Sequence, residues 1–230
     1  MNIYFLLEGR RTEKKVYRAW LNHLIPRLTE AKFYNRAEEN NFFLLSLEGY
    51  PSVINDGIPL AIEHIQETQK YQYLVICLDA DEDSVNFRKN EIDEYIKKNN
   101  LNISGINIVK IIQNRCIETW FLGNRKIFNT RQPKLDKLQQ YFNYYDVCLK
   151  DPELMGNYNT QYNHAQFHEL YLVAIFKAKG LTYSKKRPGI VLEKYYLKEL
   201  QKRILDNRQH LKTFQSFISF CQQIDLQLPI

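Results

Sequence analysis

Nowhere does the sequence run through the roughly 18 consecutive apolar residues that a membrane-spanning helix requires. The apolar opening Ile3–Leu7 stops at Glu8 and has no basic segment before it, which is not the pattern of a secretory leader. No two of the cysteines Cys77, Cys116, Cys148 and Cys221 form a CxxC pair, which argues against a zinc module or a disulfide framework. Two of them lie in apolar strand-like runs, so reduced, buried thiols are expected. Internal repeats and low-complexity tails are also missing. These absences leave an ordinary soluble globular protein of the cytoplasm as the expectation, and 44% hydrophobic with 25% charged residues is the composition of one.

The 230 residues suit one large domain, or a compact domain with a substantial appendage. Charge is distributed unevenly. The net charge of +6 divides into −1 over residues 1–125 and +7 over residues 126–230. A near-neutral half followed by a basic half suits a metal site with a polyanion-binding appendage, although solvated helices rich in Lys and Arg give the same balance.

The first half alternates strand-like and helix-like segments. Strands are expected at Ile3–Leu7, Phe42–Leu47, Tyr73–Leu78 and Ile106–Ile112. Between them lie a helix opening near Thr12, with Val16, Ala19, Trp20 and Leu24 at helical spacing, and a helix over Pro59–Gln69. A third, capped by Ser84, is expected to bury Phe87, Ile92, Tyr95 and Ile96. Strands alternating with helices of this length specify an α/β fold with a mostly parallel, four-stranded sheet covered by helices. Beyond Glu118 the pattern becomes helical, with helices expected at Lys134–Phe142, Ala165–Lys179, Val191–Asp206 and His210–Gln223. The polar stretch Tyr144–Asn163 is expected to be a surface loop. The organisation expected is therefore residues 1–125 as a catalytic α/β domain and 126–230 as a helical, basic C-terminal region.

Open parallel sheets bind ligands beyond the carboxyl ends of their strands. Glu8 follows the first strand, and Asp79, Asp81 and Asp83 follow the third. In an extended continuation residues i and i+2 point to the same side, so Asp79 and Asp81 are expected to converge on one cation. Clustered carboxylates repel unless a cation neutralises them, and a hard ion, Mg²⁺ or Mn²⁺, suits oxygen ligands.

Phe5-Leu6-Leu7-Glu8-Gly9 followed about 70 residues later by Val75-Ile76-Cys77-Leu78-Asp79-Ala80-Asp81 resembles the TOPRIM domain of topoisomerases, primases and OLD-like nucleases. Glu8-Gly9-Arg10-Arg11-Thr12-Glu13 and Cys116-Ile117-Glu118-Thr119-Trp120-Phe121-Leu122 are similar to segments of the small TOPRIM proteins of phage-defence islands, the RloB-like and AriB-like proteins. The resemblance covers roughly residues 1–125 and implies a Rossmann-like TOPRIM fold. It implies Glu8 as metal ligand or general base, Asp79 and Asp81 as metal ligands, Asp83 assisting, and Glu118 completing a second metal site. It further implies Mg²⁺-dependent endonuclease cleavage of RNA, tRNA included, or DNA in antiviral defence. An ABC-type ATPase partner and a homodimer belong to the same set of implications.

Arg10, Arg11 and Lys14, at the start of the first helix, are candidates for holding substrate phosphates. Lys185 and Lys186, in a loop ending at Pro188-Gly189, are candidates for nucleic-acid contact, with Tyr183 available to stack on a base. His164 and His168 stand four apart on a helix, but without a third ligand a surface or packing role is the better expectation. Rival readings are a HAD-like phosphatase with Asp79 as nucleophile, a nucleotide-sugar glycosyltransferase using Asp79-Ala80-Asp81, and a catalytically silent regulatory partner.

Overall fold

The computed structural model describes residues 1–127 and 136–229. In chain order the elements are β1 (Ile3–Leu7), α1 (Thr12–Leu24), β2 (Thr29–Glu30), β3 (Asn41–Ser46), α2 (Ile58–Thr68), β4 (Tyr73–Asp79), α3 (Val85–Lys98) and β5 (Asn107–Gln113). They are followed by α4 (Ile117–Phe121), α5 (Asp136–Tyr144), α6 (His164–Ala178), α7 (Lys194–Asp206) and α8 (Lys212–Gln227). Lys134, expected to open a helix, lies outside the described residues.

The sheet has five strands in the order β2-β3-β1-β4-β5. The pairings of β1 with β3, β1 with β4, and β2 with β3 are parallel. Bonds from the Asn107 amide to the Gln72 carbonyl and from the Ala80 amide to the Gln113 carbonyl run the same way along β4 and β5, so that pair is parallel too. The α/β expectation is met, with one strand more than the four expected. The addition, β2, is two residues long, too short to leave a periodic signal.

The chain clusters into two compact units that are not the expected halves. The sheet unit comprises residues 1–78, 84–112 and 217–230, and the helical unit residues 79–83 and 113–216. The expected boundary near residue 125 falls inside the helical unit.

Within the sheet unit, β1 is central, and all five of its residues are fully buried, as a strand covered on both faces requires. Successive side chains point to opposite faces. Phe5 meets Tyr17 of α1 and Phe220 of α8, whereas Tyr4 meets His64 of α2. Helices therefore cover both faces. Ser84 caps α3 by accepting from the Phe87 amide, as expected, but Phe87 itself is 53% exposed and only Arg88, Ile92 and Ile96 of that helix are buried. Thr12 is the first helical residue of α1, and Arg11 occupies the capping position.

In the helical unit, α6 opens on a reciprocal cap between Asn163 and Gln166, which settles orphan amide groups at its start. Residues 144–163 are not the surface loop expected: Val147, Asp151, Glu153 and Met155 are buried there. Among the described residues no helix is long and apolar enough to cross a membrane. All four cysteines are free and buried, as expected.

Candidate functional site

Carboxylates lie at strand ends in each unit. In the sheet unit, the register pairs Leu7 with Cys77, and the Glu8 amide donates to the Cys77 carbonyl at 3.1 Å. Glu8 therefore stands at the carboxyl end of the β1–β4 ladder. Its carbonyl accepts from the Gly49 amide (3.1 Å) and its Oε1 from the Tyr50 amide (3.3 Å). The turn at Gly49 takes φ +92°, a region that favours glycine. Tyr50 is held in turn, its hydroxyl donating to Glu91 at 2.7 Å and its ring lying 3.8 Å from the Arg88 guanidinium.

Gly9 is approached closely by a side chain. A Cβ there would stand 1.5 Å from Oε2 of Glu13, so the Glu13 carboxylate would have to shift to admit one. Glu13 is only 8% exposed. Glu13, which was not among the expected site residues, sets a second carboxylate against Gly9.

The cationic candidates of this unit separate. Arg10 is exposed and pairs with Glu48 at 2.8 Å. Arg11 is exposed. Lys14 lines a groove with Arg18 and Lys32 beside β3.

In the helical unit the segment Asp79-Ala80-Asp81-Glu82-Asp83 is a turn, not an extended continuation of β4. The Asp83 amide donates to the Ala80 carbonyl at 2.9 Å, and Asp81 has φ +51°. The expectation that Asp79 and Asp81 align by i, i+2 alternation is therefore corrected. Three bonds shape the turn: Ala80 amide to Gln113 carbonyl (2.9 Å), Asp81 amide to Arg115 carbonyl (2.9 Å), and Arg115 Nη1 to Asp81 carbonyl (3.0 Å). Glu82 is bound at the start of α6, accepting from the His164 amide (2.8 Å) and meeting His164 Nδ1 (2.7 Å). Although burial pushes the other way, the His164 amide and ring together hold the Glu82 carboxyl below its usual range.

Glu118 sits in the first turn of α4 with 1% exposure. The capping role falls instead to Cys116 with Thr119. Glu118 accepts from the Tyr183 hydroxyl at 2.6 Å. Tyr183 is 8% exposed, so its ring is not available to stack on a base, contrary to expectation. Lys185 reaches Glu169 at 3.5 Å. Burial alone would lower the Lys185 pKa, but Glu118 and Glu169, with smaller contributions from Cys116 and Asp79, carry it above the usual lysine value. Lys185 and Lys186 are both exposed, and Lys185 faces carboxylates. His168 is fully buried, bonds to the Thr119 hydroxyl (2.7 Å), and is pushed down to about 3 by burial, so it packs as a neutral ring. The packing role expected of it holds.

Carboxylate oxygen is the donor type that hard divalent ions take. The field of Asp79, Glu118 and Glu169 already favours the cationic form of Lys185. Among the described residues, however, no three His, Cys, Asp or Glu side chains are grouped to hold a metal.

No protein-family model matches the chain, and searches of curated proteins and of solved structures return no significant match.

Proposed function

We propose that the chain is a TOPRIM-type, divalent-cation-dependent phosphodiesterase acting on nucleic acid. The observation that supports this reading best is Glu8 at the carboxyl end of the parallel β1–β4 ladder within the sheet unit. Carboxyl ends of adjacent parallel strands are where open α/β sheets bind ligands. In this reading Asp79 and Asp81 hold Mg²⁺ or Mn²⁺, with Asp83 and Glu118 in support. When bound, the cation supplies charge neutralisation at phosphorus and a water of lowered pKa.

The protein's own residues would do the rest. Arg115 holds the Asp79–Asp83 turn at the Asp81 carbonyl, and the His164 amide holds the Glu82 carboxylate within it. Glu8, oriented by the Tyr50 amide, is the candidate general base. Arg10, Arg11 and Lys186 are exposed and suited to diffuse phosphate contact. Deployment in bacterial defence, beside an ATPase, follows from the resemblance alone.

A second reading, a regulatory partner without catalysis, draws on two observations. No three ligand-type side chains are grouped among the described residues, and Lys185 already balances part of the acidic field. One assay separates the two. Purified protein is incubated with tRNA, single-stranded DNA and duplex DNA in Mg²⁺, Mn²⁺ or EDTA, beside Glu8→Gln and Asp79→Asn. The catalytic reading expects metal-dependent cleavage that falls by roughly 10²-fold or more in each variant. Metal-dependent cleavage that survives both substitutions removes this site, and absence of cleavage on all substrates favours the silent partner.

A further inference from the structure

The sheet ends on one side with a strand that is covered along only part of its length. β2 pairs with β3 at two positions, Thr29 with Asn41 and Glu30 with Phe42. The Ala31 amide still reaches the Phe42 carbonyl at 2.8 Å, and then the chain leaves the edge. β3 continues to Ser46. Its parity is fixed by bonds on both sides: the carbonyls of Asn40 and Phe42 accept from the β2 side, while the Leu47 amide donates to Leu7 of β1. Side alternates along a strand, so Leu44 and Ser46 present an amide and a carbonyl each at the open edge.

That edge is the floor of a groove of about 480 Å³. Lys14 and Arg18 of α1 and Lys32, just past β2, line it. Arg18 is occupied by a bidentate pair with Glu30, at 2.6 and 2.8 Å. The groove therefore carries two cations, Lys14 and Lys32, beyond the one that Glu30 neutralises. Burial, and next the nearby Arg18, lower the Lys14 pKa, as crowding of like charge requires.

The chemistry of the groove selects its occupant. Open carbonyls need donors and open amides need acceptors, alternating at the strand repeat, and only another polypeptide in extended form supplies both. Nucleic-acid backbone offers acceptors alone to such an edge. A second copy of β3 would bring the same lysines against their counterparts. An extended segment with acidic side chains satisfies the edge and the cations together.

We propose that the open half of β3 is a docking edge for an extended, acidic segment of a partner protein, which adds as a strand beside Leu44 and Ser46 with its carboxylates on Lys14 and Lys32. At about 3.3 Å per residue the four uncovered positions accept a short linear motif and not a domain face. The site lies within the sheet unit and does not depend on the metal-site reading.

The test uses the full chain and a fluorescein-labelled peptide of alternating Glu and Val. Saturable binding is expected, with new hydrogen-exchange protection of the Leu44 and Ser46 amides. N-methylation of alternate peptide amides, which leaves the protein untouched, is expected to weaken binding by about tenfold or more, as is the double variant Lys14→Glu, Lys32→Glu. Equal binding of the N-methylated peptide would reduce the groove to a patch of charge and overturn the proposal. So would no binding, or tighter binding of oligodeoxythymidine with the same protection. Protection of both amides that rises with protein concentration in the absence of peptide would assign the edge to a second copy and overturn it as well.

Discussion

The sheet unit and the helical unit are held together by different physics. The sheet unit is built on apolar strands such as β1, and its buried polar residues are few: Asn2, Thr12, Glu13 and Arg88 among those described. The helical unit buries twice as many, including Glu118, Asp151, Glu153, His168 and Arg203. Apolar burial is non-directional and tolerates substitution of similar volume. Buried charge is favourable only while each partner is in place, and removing one leaves the other stranded. The helical unit should therefore be the more sensitive to single substitutions and to pH.

The largest effect expected is at Arg203, which is 1% exposed. Its Nη1 donates to the carbonyls of Gly123 (3.1 Å) and Val147 (2.7 Å), and its Nη2 to that of Lys150 (2.6 Å). Burial pulls its pKa down to about 10, which still leaves it charged at neutral pH. Arg203→Ala strands three carbonyls and is expected to cost about 3–5 kcal/mol. Urea unfolding gives the loss, and native-state hydrogen exchange locates it. Lost protection should concentrate in α4–α7 and spare the β1–β4 ladder. A uniform loss over both units would show that the difference in interior chemistry has no counterpart in local stability.

Next comes Glu153, 6% exposed, with its carboxylate accepting from the Thr213 hydroxyl and amide. Burial outweighs those bonds, and Asp151 adds to it, raising its pKa from 4.5 to about 7. Between these values the folded chain keeps a proton that the unfolded chain has released, so stability falls as pH rises from 4.5 to 7. The full shift corresponds to a penalty of about 3 kcal/mol above pH 7. Glu153→Gln should abolish that slope and raise the urea midpoint at pH 8 relative to wild type, while gaining nothing at pH 4. A variant equally changed at both pH values would mean that the fold does not raise the Glu153 pKa.

The same contrast decides what could be read from the sequence. The strands β1, β3, β4 and β5 were legible because period and run length are local signals. Ser84 as a cap was legible for the same reason. Asp151 and Glu153 were misread as belonging to a surface loop because what buries them is remote. Asp151 accepts from the Leu211 amide and Glu153 from Thr213, each 60 residues away. The Asp79–Asp83 turn failed in the same way. Its positive φ at Asp81 accompanies an exchange of bonds with Arg115, 34 residues on, which no local rule anticipates. Glu8 as a strand-end acid came from the local pattern, and Glu13 against Gly9 came only from packing.

The smallest effect is the control that sharpens the comparison. Ser84 opens the segment of the sheet unit that follows the Asp79–Asp83 turn, and its hydroxyl oxygen accepts from the Phe87 amide at 3.1 Å. The bond is exposed to solvent, so water can replace part of it. Ser84→Ala is expected to cost about 1 kcal/mol, the usual value for a lost N-cap. The loss should be flat between pH 5 and 8, since neither partner titrates there, and exchange should quicken only in the first turn of α3. If its cost instead rose with pH in step with the wild-type slope assigned to Glu153, the cap would be coupled to buried charge in the other unit. Treating the two interiors as separate sources of stability would then have to be abandoned.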